Sequence, residues 1–95
     1  MEKIEYTGTV FLLGHKYPEP LLNHSIKKLE GLGIKKEDMT ITDSPEKPKI
    51  GDIVVEVFPY HLEIARVRTI RNDSFISGSL MTVELKADAD GKYID

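Results

Sequence analysis

The stretch from Pro20 to Gly33 constrains this chain most. Leu21, Leu22, Ser25, Ile26, Leu29 and Leu32 recur every three or four residues, while Asn23, Lys27, Lys28 and Glu30 fill the positions between them. On an α-helix that spacing gathers the apolar side chains into one stripe and leaves the polar ones on the opposite face. Pro20 suits the first turn, where its missing N–H is not needed and its φ is already helical. Gly33 stands where a left-handed residue ends a helix, and Ile34 beyond it is placed to touch Leu29 in a Schellman stop. The spacing therefore predicts one amphipathic helix over residues 20 to 32. A single apolar stripe covers one side of a sheet, and the rest of the chain is expected to supply that sheet.

Strand signals surround the helix. Tyr6 to Leu13 mixes β-branched and aromatic residues and stops at Gly14, which predicts a buried first strand. The stretch from Gly14 to Pro20 holds two prolines and is a loop. After the charged turn Lys35 to Asp38, residues Met39, Thr40, Ile41 and Thr42 alternate as a half-buried strand does. Asp43 to Lys49 is polar, contains Pro45 and Pro48, and is expected to be a mobile surface loop. Gly51 and Asp52 then lead into Ile53 to Phe58, a strongly β-prone run.

Residues 59 to 71 read two ways. As a strand, Ala65, Val67 and Thr69 share one face, with Ile64, Arg66, Arg68 and Ile70 on the other; as a helix begun by Pro59, Tyr60, Ile64 and Val67 share a face. The β-branched Val67, Thr69 and Ile70 favour a strand, and Asn72, Asp73 and Ser74 look like a hairpin connection. Phe75 to Leu85 is a further strand in which Gly78 marks a bulge or bend. The expected fold is α+β: a single N-terminal helix packed on an antiparallel sheet of four to five strands, in the order β-α-β-β-β-β. The alternative is a ferredoxin-like βαββαβ order with a second helix at about 59–71. Residues 1–86 are expected to form one domain, and residues 87–95 an acidic, frayed tail.

Composition narrows the function classes. Ninety-five residues suit one domain, and 40% apolar with 31% charged residues describes a globular chain. The chain has no cysteine, which removes disulfides, thiolate metal sites and cysteine nucleophiles, and fits a reducing compartment such as the cytoplasm. The opening residues show no basic region leading into a long apolar run, so no signal peptide is expected, and the run Thr9 to Leu13 is far too short to span a membrane. A net charge of −3 argues against a dedicated nucleic-acid binder.

Two family resemblances follow from these rhythms. Residues 9 to 34, a strand, then Tyr17-Pro18-Glu19-Pro20-Leu21-Leu22, then a helix ending at Leu32-Gly33-Ile34, resemble the opening of an ACT-type small-molecule-binding domain. That resemblance implies the ferredoxin-like order and a helix at 59 to 71. The chain has Glu19 and Pro20 where that family usually has glycine. Residues 50 to 85, with Ile50-Gly51-Asp52-Ile53-Val54 and Ala65-Arg66-Val67-Arg68-Thr69-Ile70, are similar to the meander of a small SH3-like barrel. The two resemblances require different structures for residues 59 to 71.

Candidate chemistry is sparse. His15, His24 and His61 lack the close pairing of metal motifs, and no metal site or cofactor is expected. Asp88, Asp90 and Asp95 around Gly91 form only part of a calcium loop and read better as a solvated tail. Arg66, Arg68 and Arg71, joined by Lys47 and Lys49, form a candidate phosphate-binding patch; on a strand Arg66 and Arg68 would share a face near Phe75. The competing reading pairs the arginines with Glu56, Glu63 and Glu84 across a solvated sheet face. His15, Tyr17 and Asn23 near the helix start are the candidates for a small ligand. No nucleophile with its base and acid is visible, and no glycine-rich phosphate cradle.

The chain is therefore expected to be a non-enzymatic binding or adaptor module, acting through a protein partner or as a homodimer. One helix leaves a sheet face or edge that must be polar, closed or covered. The alternatives are a nucleic-acid-associated barrel using the arginines and a regulatory ligand-binding domain.

Overall fold

A computed structural model of the chain describes residues 3–14 and 16–94. Strand β1 (Val10–Leu13) leads into helix α1 (Glu19–Gly31), a 3-10 turn (Lys36–Asp38) and strand β2 (Met39–Ile41). Strands β3 (Ile53–Phe58), β4 (His61–Arg71) and β5 (Ser74–Glu84) follow, and a small hairpin of β6 (Lys86–Ala87) and β7 (Tyr93–Ile94) ends the described chain. The first five strands form one sheet in the order β2-β1-β3-β4-β5.

Helix α1 begins and ends as its residues require. Pro18 is extended at the N-cap, and Leu21, Ile26 and Leu29 are buried on one side. Ser25 tolerates complete burial because its hydroxyl donates to the Leu21 carbonyl at 2.8 Å. At the other end Gly33 takes φ +92°. The Gly33 N–H reaches the Glu30 carbonyl at 3.0 Å and the Ile34 N–H reaches that of Leu29 at 3.1 Å, the two bonds of a Schellman motif.

The α+β class and the strand-helix-strand order are as the sequence reads, but the sheet is mixed rather than wholly antiparallel. β1 pairs in parallel with both β2 and β3, and only β3, β4 and β5 are antiparallel. The cause is the crossover: a thirteen-residue helix returns the chain to the end of the sheet from which β1 started. Segment 42–52 makes a second crossover, past β1 to the far side where β3 pairs. Residues 61–71 are strand β4, which removes the ferredoxin-like alternative and the second helix that the ACT resemblance implied. β3 to β5 do form a meander, but in an open sheet shared with two parallel strands rather than in a closed barrel.

The main core lies between α1 and the sheet. Leu12, Leu29, Ile34, Ile53, Val55, Leu62 and Ile64 are at most 1% exposed, each contributing roughly 1.5–3 kcal/mol by leaving water. A smaller cluster of Phe11, Val54 and Val67, with Leu13 and Phe75 against it, occupies the other face. Segment 42–52 is fastened beside it by Asp52, a buried carboxylate that accepts from the Thr9 N–H at 3.0 Å and the Lys49 N–H at 2.8 Å.

The described part of the acidic C-terminal stretch is folded back rather than splayed. Asp88 Oδ1 accepts from the Asp90 and Lys92 N–H groups, each at 2.9 Å, closing the turn of the β6–β7 hairpin. Tyr93 stacks on the buried His24 ring at 5.2 Å, and its hydroxyl donates to the Pro59 carbonyl at 2.9 Å. No helix among the described residues is long and apolar enough to cross a membrane.

Candidate functional site

The arginines lie on the outer half of β4, and the local register decides what they meet. Two residues fall out of the β4–β5 ladder: Leu80 on β5, between the pairs Ile64↔Met81 and Ala65↔Ser79, and Arg68 on β4, between Val67↔Ser77 and Thr69↔Ile76. Each is a β-bulge, and a bulge reverses the alternation of side chains beyond it. Arg66 follows Leu62 and Ile64 on the helix side of the sheet, and its guanidinium donates to the Glu5 carbonyl. Arg68 lies across Gly78, the residue opposite Arg66, filling the space a Cβ there would need. Arg66 and Arg68 therefore share a face.

Phe75 does not join them. The bulge at Arg68 puts Ile70 in phase with Val67, so Ile70 and its partner Phe75 lie on the opposite face, with Phe75 against the Phe11 cluster. Lys47 and Lys49 stand on that far side too, in a groove with Phe11, Thr40 and Thr42. The five basic residues are thus divided between two faces. The glutamates expected as their cross-strand partners are at the other end of the hairpin, where Glu56 opposes Glu63, and Glu84 opposes His61. His61 stacks on Phe58 at 4.6 Å and lies 3.7 Å from Glu63.

The small-ligand candidates are not brought together. His15 lies outside the described residues. Tyr17 is half-buried against the main core, whereas Asn23 is exposed in a shallow groove with Pro20, His24, Lys27, Lys92 and Tyr93. A larger cleft, about 670 Å³, opens elsewhere, between Pro45 to Pro48 and the hairpin tip at Ile70 and Phe75. Among the described residues, no three His, Asp or Glu side chains are placed to hold a metal ion.

Beside the Phe11, Val54 and Val67 cluster, the uncovered face of β3 to β5 presents mainly small or charged side chains, among them Ala65, Ser77, Ser79, Thr82, Glu56 and Glu63. Water satisfies such a surface without a partner. The edge of the sheet is different. β5 is paired on one side only, by β4, and its eleven residues contain no lysine, arginine or proline and one charge, Glu84. Edge strands normally carry those residues, are kept very short or are bulged, because a row of free N–H and C=O groups is a template for another strand; of these devices β5 has the bulge at Leu80, which leaves Ser74 to Ser79 as an uninterrupted run. Ile76 is 59% exposed on this edge. The sequence shows 75–85 as an uncharged strand, but which strand stands at the edge is a property of topology. Compared with models of known families, with characterised proteins and with solved structures, the chain matches none.

Proposed function

We propose that the chain is a non-enzymatic protein-binding module whose working surface is the free edge of β5. One observation carries the reading: an eleven-residue edge strand without lysine, arginine or proline. A strand laid along it gains main-chain hydrogen bonds for affinity and alternate side-chain contacts for selectivity. The other candidate surfaces support binding less well. The basic residues are divided between two faces, with Arg66 and Arg68 on the face away from Phe75, and Tyr17 and Asn23 do not converge.

The test is a library of extended decapeptides panned on the immobilised chain, followed by amide hydrogen exchange of the chain with and without the selected peptides. Slowed exchange across Ser74 to Ser79 is expected, and binding should weaken in Ile76→Lys. Peptides that slow exchange only elsewhere, or a library that yields no binder, would overturn the reading.

A further inference from the structure

We infer that the strand received along Ser74 to Ser79 is an acidic peptide, and that the Arg68 guanidinium takes one of its carboxylates. This rests on the strand-addition reading and names the chemistry of the partner. Arg68 is the residue of β4 that falls out of the ladder, and a bulge re-aims the side chain it carries. Here it is aimed across the edge strand. A Cβ added at Gly78 would meet Nε, Cδ and Cζ of Arg68, so the guanidinium lies over β5 rather than over its own strand. Gly78 is not among the glycines with positive φ, so its lack of a side chain serves space and not backbone conformation. Glycine inside a strand weakens it and marks a close approach. What approaches is the arginine.

The helix side of the open run is cationic at both ends. Arg71, opposite Ser74, shares that side with Arg68, and Ile76, 59% exposed, stands between them. Ser74 is small, as Gly78 is, and neighbouring strands lie only about 4.8 Å apart, so Arg71 reaches a sixth strand across Ser74 as Arg68 does across Gly78. Both arginines are exposed, and among the described residues neither forms an ion pair with a carboxylate. Arg66, on the same side, is engaged with the Glu5 carbonyl.

A strand laid alongside turns alternate side chains to each face. On the helix side its successive residues fall opposite Gly78, Ile76 and Ser74, which asks for an acidic, an apolar and an acidic residue, each two apart. The pattern reads the same in either strand direction. Guanidinium and carboxylate pair through two parallel hydrogen bonds. The chain as a whole carries a net charge of −3, so attraction of an acidic peptide has to come from this face. A nucleic-acid backbone would answer the arginines but leave the adjoining row of N–H and C=O groups without a partner strand, whereas a peptide answers both.

The test uses three threonine-rich decapeptides with glutamate, glutamine or lysine at two positions four residues apart and valine midway between them. At low salt the glutamate peptide should bind the native chain about tenfold tighter than the glutamine peptide, and the difference should fade as salt rises. Arg68→Gln should remove most of that preference, and so should Gly78→Val, which fills the space Arg68 crosses; Lys47→Gln, on the far face, should keep it. Arg68→Glu combined with Arg71→Glu should turn the preference to the lysine peptide. Thermal unfolding shows whether each variant is folded. Glutamate and glutamine peptides that bind equally, both slowing exchange across Ser74 to Ser79, would overturn the acidic partner and leave the strand-addition reading standing. A preference that survives in Arg68→Gln would overturn the role of Arg68. Oligothymidylate that displaces the glutamate peptide from the native chain and binds less well to Arg68→Gln would overturn the peptide in favour of nucleic acid. Exchange at β5 that neither the glutamate peptide nor any panned peptide slows would overturn both readings.

Discussion

At one side of the sheet β2 runs for three residues, Met39–Ile41, and at the other β5 runs for eleven, Ser74–Glu84. Both are edges, but they are finished differently. β2 follows a charged turn and precedes a loop with two prolines. Its approach is pinned by Tyr6, whose hydroxyl donates to Asp38 at 2.6 Å and accepts from the Lys35 N–H at 3.0 Å. There is little edge on which another strand could pair. β5 has length and no gatekeeping charge in its middle, and its only fixed neighbour is β4. The two edges are thus finished differently, one blunted by its shortness and the other left long, interrupted at Leu80 but open over Ser74 to Ser79. The contrast locates the functional hypothesis on β5 without a motif.

The largest expected effect sets the same substitution against both edges. Ile76→Lys should weaken binding of a selected peptide by at least about tenfold, through a lost apolar contact and a charge added at the edge. Ile41→Lys, 45% exposed on β2, should leave that affinity within about twofold by the same reckoning. A peptide titration reads both, and equal effects would erase the distinction.

A second prediction separates anchoring from binding. Asp52→Ala removes the acceptor of two backbone N–H groups at a buried site, and should cost about 3 kcal/mol in urea unfolding. Because the carboxylate lies away from β5, affinity at that edge should not change among folded molecules.

The smallest effect concerns the pinned edge. Tyr6→Phe should cost about 1 kcal/mol and loosen the turn before β2, seen as faster amide exchange at Met39 to Ile41. Burial first, and then the hydrogen bond to Asp38, raises the Tyr6 hydroxyl above its ordinary value of 10.0. The native chain therefore holds that proton more tightly than the unfolded chain. Its contribution is fully present below about pH 10 and is lost as pH rises through the raised value, so native stability should fall there more steeply than that of Tyr6→Phe.

Much of the fold was legible where a local signal and the tertiary outcome agree. Helix α1 follows from the apolar stripe, Pro20 and Gly33, and is shifted by a single residue at each end; β3 occupies the run its β-branched residues mark. β-branched residues also chose correctly between strand and helix for residues 61–71. The parallel pairing of β1 with β2 and β3 was not legible, because no residue in either strand encodes a partner's direction. The bulges were only half legible. Gly78 suggested an irregularity, whereas the unpaired residues are Leu80 and Arg68, neither with a bulge-forming composition. That difference moved Phe75 away from the arginines and divided the expected patch. The Asp88 turn looked like part of a metal loop because a side-chain oxygen that closes a turn uses the same residue type.

The most direct test of the β5 edge as the working surface is amide hydrogen exchange of the chain with and without a saturating peptide panned on it, comparing β5 with β2. The account predicts that exchange across Ser74 to Ser79 slows when the peptide binds while Met39 to Ile41 is unchanged. Slowing at β2, slowing equally at both edges, or none at either would contradict it.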